Sequence, residues 1–504
     1  MTSRADRGNP ASPLATVLLT IGLAALTGLT GVAVSAPASS ASALPPTKPN
    51  VVIILTDDQP EGMLGVEPTV RAEIAAKGTT FTNAVVSTPL CCPSRTSMLT
   101  GLFANESGVF GNDEASQGGY DVFKRNGNEE RTIATKLSKA GYITGMFGKY
   151  INKYSVTDGQ SRPAGWNEFS VFSQGPAYYD YQYSADQDPS VPLGEKLDAP
   201  LVNVPSEGDY STTQFGEFTA DFIRRVPADS PLLAVYAPFA AHAPFTAEPK
   251  YVGSGMINNR LRKDPSFNEK DVSDKPKWVR KQKKQRLTKQ LRKWRKQTEA
   301  LRTADDQVAN ILTALSDTGR LDNTLIIYTS DNGYQHGQHR LQFKNTPYRA
   351  SSNVDLLVRF PYQKYPRVDD HIVTANVDVA ATVLAAAELP NSTSGFSLDN
   401  PIASGVPVMG IRWRSGPAVR PTYCGWRTAT GLFVRYGTKE EELYDYVKDP
   451  YELKNVAKDP TYRKMKRAYI RAATPRCGNL PPDFGPSYAQ PSGQQPKDPQ
   501  STDD

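Results

Sequence analysis

Four cysteines in 504 residues are too few for a disulfide scaffold, so they serve one long-range bridge or chemistry. Cys91 and Cys92 are adjacent, which rules out an ordinary mutual disulfide. They are either an inert buried pair or a reactive site. Cys424 and Cys477 could bridge in an oxidising compartment. Two acidic pairs, Asp57-Asp58 and Asp331-Asn332, each follow a short apolar run. They offer hard oxygens without Cys or His at these points, which suits calcium or magnesium better than zinc. Either pair alone reads as an ordinary turn. Lys275 to Arg302 holds 13 Lys or Arg in 28 positions, the signature of a polyanion-facing surface or of a solvated helix face. The formal net charge of +6 by itself says little about partners.

The elements that must position these residues follow from hydrophobic patterning. Val51-Val52-Ile53-Ile54-Leu55 is a continuous β-branched run and predicts a buried parallel strand. Similar runs lie at Leu232 to Tyr236 and Leu325 to Tyr328, the last preceded by a helical stretch from about Leu291 to Leu315. Strand, helix, strand alternation predicts an α/β sheet covered on both faces, with ligands gathered beyond the carboxyl ends of its strands. Asp378 is read as the cap of a helix from Val379 to Ala387 that Pro390 ends. Gly431 to Tyr436 and Glu442 to Asp445 read as antiparallel strands of a smaller unit. Residues 1–43 carry Arg4 and Arg7, an apolar run from Leu14 to Val34 and Ala41-Ser42-Ala43, the pattern of a cleaved export signal. The expected organisation is a signal over 1–43, a main domain over 44–395 with the basic segment 275–302, a smaller unit over 396–480 and a disordered tail over 481–504.

The segment Cys91-Cys92-Pro93-Ser94-Arg95-Thr96-Ser97-Met98-Leu99-Thr100-Gly101 resembles the motif of the formylglycine-dependent sulfatases, C-x-P-S-R followed by x-x-x-L-T-G, and matches every fixed position. The resemblance implies an alkaline-phosphatase-like α/β fold. It also implies that Cys91 is oxidised by a separate maturation enzyme to formylglycine, while Cys92, at the variable position, stays a thiol. One hydroxyl of the aldehyde hydrate would attack sulfur, and the other would release sulfate. Such a hydroxyl needs a cation to lower its pKa, so the resemblance turns Asp57, Asp58, Asp331 and Asn332, with Cys91 itself, into ligands, and selects calcium.

The remaining candidates also come from the resemblance. Arg95 matches the arginine that supports formylglycine and metal. Lys149 in Gly148-Lys149-Tyr150 matches a lysine on the hydrate and sulfate. His242 in His242-Ala243-Pro244-Phe245 matches the histidine that acts as acid for the departing alcohol. Lys344 matches the lysine downstream of the second acidic pair. Asn152, where many relatives have a histidine nearby, and His339 are read as substrate contacts, His336 could line the pocket, and His371 is structural. Glu442-Leu443-Tyr444-Asp445 and Asp449-Pro450-Tyr451-Glu452 resemble the carboxy-terminal element of the family, within which the chain is most similar to glucosamine-6-sulfatases and arylsulfatases. Arg349, where relatives carry Glu, and Asp355, where they carry Pro, depart from the pattern and bear on local packing and substrate orientation.

The resulting expectation is a secreted, calcium-dependent hydrolase of aryl sulfates or sulfated sugars, with a sulfated glycan as one candidate partner, no nucleic acid and no stable membrane anchor. Two alternatives stand beside it: a phosphate or phosphonate monoester hydrolase of the same superfamily, and a non-catalytic secreted polyanion-binding protein.

Overall fold

The computed structural model describes residues 48–156, 162–184, 201–412 and 420–477. The proposed export signal and the expected carboxy-terminal tail lie outside them. Among the described residues no helix is long and apolar enough to cross a membrane. The described residues fall within one compact unit.

Strands of the main sheet are β1 (Asn50–Thr56), β2 (Thr79–Val85), β3 (Ile143–Gly148), β4 (Glu168–Ser173), β5 (Tyr181–Ser184), β6 (Leu201–Val204), β7 (Leu232–Ala237) and β8 (Thr324–Ser330). After a two-stranded ribbon, β9 (Gln335–His336) with β10 (Gln342–Phe343), come β11 (Leu356–Arg359) and β12 (Arg367–Thr374). The ten-stranded order is β12-β2-β11-β8-β1-β7-β3-β4-β5-β6. Its centre, β8-β1-β7-β3-β4, is parallel, whereas β11 pairs antiparallel with both β8 and β2. This is the expected α/β architecture, a large, mostly parallel mixed sheet between helices.

Successive residues of β1 serve opposite cores. Val51, Ile53 and Leu55 pack on one face with Met98, Leu99, Val379 and Val383. Val52 and Ile54 pack on the other with Phe215, Phe222, Val308 and Ile311. The helices supplying these side chains are α1 (Cys91–Thr100), α2 (Ser211–Arg225), α3 (Leu287–Asp317) and α4 (Val377–Ala386). A strand buried on both faces gains nothing from polar alternation, which is why its sequence is unbroken Val, Ile and Leu. The α4 cap differs from expectation. Asn376 takes that position and accepts from the Val377 N–H, while Asp378 is the second residue of the helix and accepts from Thr374 N–H at 2.7 Å and Phe396 N–H at 3.0 Å.

The carboxy-terminal sheet is antiparallel, in the order β13 (Val406–Gly410), β14 (Tyr423–Thr428), β15 (Gly431–Tyr436) and β16 (Glu441–Asp445), with α5 (Arg463–Cys477) across it. Cys424 of β14 and Cys477 of α5 are joined by a disulfide across 53 residues of sequence. Closing a loop of that length restricts the unfolded chain. Cys424→Ser should therefore lower stability by about 2–4 kcal/mol in denaturant unfolding under oxidising conditions, and reductant should erase the difference.

Candidate active site

Four neighbouring strands end together, and register decides what meets there. β1 and β8 run in step to the pair Thr56 and Ser330, so Asp57 emerges beside Asp331. β3 and β7 run in step to Gly148 and Ala237, and Lys149 N–H then donates to Ala237 O at 2.7 Å. Asp57 N–H donates to Ala240 O at 2.9 Å, which draws the loop carrying His242 towards the end of β1. Asp58 turns with a φ of 58°, a left-handed conformation that a short acidic side chain tolerates better than most. Helix α1 begins at Cys91, placing that side chain at its first residue.

Around Cys91 the structure assembles three carboxylates and three cations. Lys344 Nζ donates to Cys91 Sγ at 2.8 Å and also pairs with Asp58 Oδ1. Cys91 Sγ lies 3.7 Å from Asp57 Oδ1, and Lys149 Nζ pairs with Asp57 Oδ2. Arg95 Nε donates to Asp331 Oδ2 at 2.8 Å and its Nη1 to Lys149 O at 2.6 Å. Asn332 Nδ2 donates to Asp58 Oδ1 at 2.6 Å, and Asp58 N–H to Asp331 Oδ1 at 3.2 Å. His242 Nε2 is 3.6 Å from Asp58 Oδ2.

The electrostatics follow from burial opposed by pairing. Burial alone would raise the Asp57 carboxyl, but Lys149, His242 and Arg95 hold it at about 2. Burial likewise opposes ionisation of Asp58, yet Lys344 and His242 lower it below the usual carboxylate range. For Lys149 and Lys344 burial favours the neutral amine, but the carboxylates and Cys91 more than offset it and raise both. Burial pushes the Cys91 thiol up to about 11 despite both lysines. An unmodified Cys91 is therefore a protonated, weakly nucleophilic thiol at neutral pH.

The donor set fits a hard divalent cation. Asp58 Oδ2 and Asn332 Oδ1 are buried acceptor atoms to which no N–H or O–H donates. Asp57, Asp58, Cys91 and His242 each offer a ligand atom within 4.8 Å of one another. Buried acceptors left without donors are costly unless a cation or water satisfies them, and clustered carboxyl and amide oxygens match calcium chemistry.

Cys91, Arg95, Lys149, His242, Lys344, Asp57, Asp58, Asp331 and Asn332 are thus brought together. Asn152 stands behind them: its backbone contacts the Cys92 thiol and accepts from Tyr120 N–H, and its Oδ1 is buried without a donor. His339, read as a substrate contact, is drawn away from the cluster. Its Nδ1 is 2.7 Å from Glu269 Oε2, its Nε2 is 3.7 Å from Glu452 Oε2, and its ring stacks on Tyr348 at 4.4 Å. Burial disfavours its charge, but the two glutamates raise its pKa, making it an internal ion-pair partner. His336 is buried against Trp294 and Tyr334, and burial pushes it down to about 3, so it stays neutral. His371 is exposed beside Asp369. Of the two departures, Arg349 sets its guanidinium over the Tyr446 ring at 5.2 Å, next to the second sheet, and Asp355 accepts from Gly62 N–H at 3.3 Å. Both face structural partners.

Sequence reading missed the groups that brace the site from a distance. Gln297 of α3 is fully buried and donates through Nε2 to Asp58 O at 3.2 Å and Ala241 O at 3.4 Å, tying the acidic loop to the histidine loop. Tyr178 OH donates to His242 O at 2.7 Å, and Phe239 stacks on the His242 ring at 4.7 Å. Gln297 acts across 239 positions, and no local pattern announces such a contact.

Two measurements test this geometry without relying on turnover. In unconverted protein, Cys91 should resist alkylation near neutral pH and react only as pH rises towards about 11, or on unfolding. Calcium should raise the melting temperature of the wild type, as a ligand of the native state does, and Asp58→Ala should abolish that shift.

Comparison with known proteins agrees along most of the chain. Residues 49–389 match the family model described as Sulfatase, and residues 337–472 match one described as N-sulphoglucosamine sulphohydrolase, C-terminal. The N-acetylglucosamine-6-sulfatase of Homo sapiens is 28% identical over 507 residues, covering 88% of this chain and 88% of that protein. The extracellular sulfatase SULF-1 homolog of Drosophila melanogaster is 32% identical over 360 residues, which is 68% of this chain but 30% of that longer protein. A solved structure of a protein in complex with its substrate D-glucosamine-2-N,6-O-disulfate superposes with a TM-score of 0.70 at 21% identity, covering 86% of this chain and 98% of that one.

Proposed function

Because the chain belongs to the sulfatase family, and so to the sulfate ester hydrolases, we propose that it cleaves the sulfate esters of sugars or aryl alcohols at Cys91, with formylglycine and calcium as its working groups. The observation that carries this reading is Lys344 Nζ at 2.8 Å from Cys91 Sγ, with Asp57 Oδ1 on the same sulfur at 3.7 Å. A cation and a carboxylate converge on an atom that is itself too weakly acidic to react as a thiolate. Conversion of Cys91 would supply a nucleophilic oxygen at this place, and calcium held by Asp57, Asp58, Asp331 and Asn332 would supply the charge that activates it and neutralises sulfate oxygens.

The chain's own residues do the rest. Lys149 and Lys344 present fixed ammonium groups to the anionic sulfate in a water-poor setting, where charge complementarity counts most. Arg95 does not reach for substrate; it holds Asp331 and the Lys149 carbonyl in place. His242 hands a proton to the departing alcohol. Burial lowers its pKa against the pull of Asp57 and Asp58, so the imidazole is neutral in the free protein. An incoming sulfate anion adds negative charge beside it and favours the protonated form the step requires. The names of the human relative and of the disulfated glucosamine complex support a sulfated amino sugar as substrate class. We also read residues 1–43 as an export signal, making the mature protein extracellular, and a separate maturation enzyme as the source of the aldehyde.

A peptide mass map paired with an aryl sulfate assay tests the central claim. Converted protein should lose about 18 mass units at Cys91, and Cys91→Ala should reduce turnover by roughly four orders of magnitude or more. An active protein with an unmodified cysteine there would sink the reading. His242→Ala should cost about 10²–10⁴-fold on a sugar sulfate, whose alcohol needs a proton. On a nitrophenyl sulfate, whose leaving group does not, the loss should be far smaller.

A further inference from the structure

Between Asp274 and Glu299 the sequence contains no acidic residue, and the structure shows how its cations are distributed. A short helix, Lys277–Arg280, leads into residues 281–286, a strap without regular helix or strand that feeds α3. The neutral residues do the anchoring. Gln285 N–H donates to Asn268 Oδ1 at 2.6 Å and Gln285 Nε2 to Arg340 O at 3.2 Å. Gln342 Nε2 donates to Gln285 Oε1 at 2.6 Å, and Gln290 Nε2 to Gln342 Oε1 at 3.1 Å.

The cations between these anchors stand in solvent: Lys281, Lys283, Lys284 and Arg286 on the strap, Arg292 and Lys296 on α3. Arg292 and Lys296 are four apart and share one helix face. Among the described residues, the ion pairs of this region belong to Lys275, with Glu269 and Asp274, and to Arg295, with Glu299. The six exposed cations are in none of them. Two tryptophans that could have stacked on sugars do not: Trp278 packs against Tyr348 and Tyr436, and Trp294 against Met63 and Leu301. Recognition by this surface is therefore electrostatic.

The surface adjoins the site. Gln342, which anchors the strap, lies two residues before Lys344, and Lys293 sits over the ring of Phe343 at 5.3 Å. We infer that the strap 281–286 and the first turns of α3 form an exosite for a sulfated polysaccharide, a flexible polyanion whose sulfate esters it holds beside Lys344. The inference rests on the sulfate ester reading of the adjacent site. Like charges at this density repel one another, and an extended polyanion relieves that repulsion by releasing its counterions.

The test compares wild type with the combined variant Lys283→Gln, Lys284→Gln, Arg286→Gln, Arg292→Gln and Lys296→Gln, using heparin as the probe. At roughly 0.1 M salt the variant should bind heparin at least about tenfold more weakly, and the slope of log affinity against log salt should fall by about three. Its hydrolysis of nitrophenyl sulfate should match the wild type, which also reports that it has folded. Unchanged heparin affinity and slope would overturn the exosite. So would a wild-type preference for duplex DNA or phosphatidylglycerol vesicles over heparin at equal charge. If the five cations govern heparin binding while wild type hydrolyses no sulfate ester, the surface stands and the catalytic reading falls.

Discussion

Three carboxylates buried in one small cluster are untenable unless positive charge is held close to each. Asp57, Asp58 and Asp331 meet that condition through Lys149, Lys344 and Arg95, each carboxylate with its own cation. Removing one member of such a set strands a charge in a low dielectric, which typically costs about 3–5 kcal/mol. The pairing explains why Asp57 and Asp58 stay ionised despite full burial. It also leaves Asp58 Oδ2 and Asn332 Oδ1 without a donor, so the balance is incomplete where a divalent ion fits.

Positions in this set depend on the parallel sheet. Main-chain pairing of β8, β1, β7 and β3 fixes where each strand ends to within a residue, and a slip of one residue would turn Asp57 to the opposite face. Helix α1 approaches from one side, bringing Cys91 and Arg95 on consecutive turns, while α3 approaches from the other and grips two loops through Gln297. The site thus joins both layers of the sandwich, and its loops are short and tied to strand ends and helices that set its distances.

The second sheet contributes through a separate buried network. Glu269 and Glu452 flank His339, and Lys275 lies 3.2 Å from Glu269 Oε1 and donates to Glu452 O at 2.6 Å. Tyr348 OH donates to Glu442 Oε1 of β16 at 2.8 Å. These contacts bind the segment after Lys344 to the smaller sheet. They also engage His339, close in sequence to Lys344, through both ring nitrogens, each of which faces a carboxylate.

The sequence by itself determined the local parts. The unbroken apolar runs specified parallel strands because a strand buried on both faces gains nothing from polar alternation, and the Cys91 to Gly101 motif and the two acidic pairs named the chemistry. The tertiary structure alone decided which groups meet. Gln297 and Tyr178 support the site across long stretches of chain, His339 left it for two distant glutamates, and Asn376 displaced Asp378 as the cap of α4. Within the basic segment, Lys275 and Lys293 are buried whereas Lys283, Lys284, Arg286, Arg292 and Lys296 are exposed, a distinction composition cannot make. Periodicity and motifs report on residues close along the chain, whereas burial and charge pairing depend on partners that only the sheet's registers and helix packing bring near.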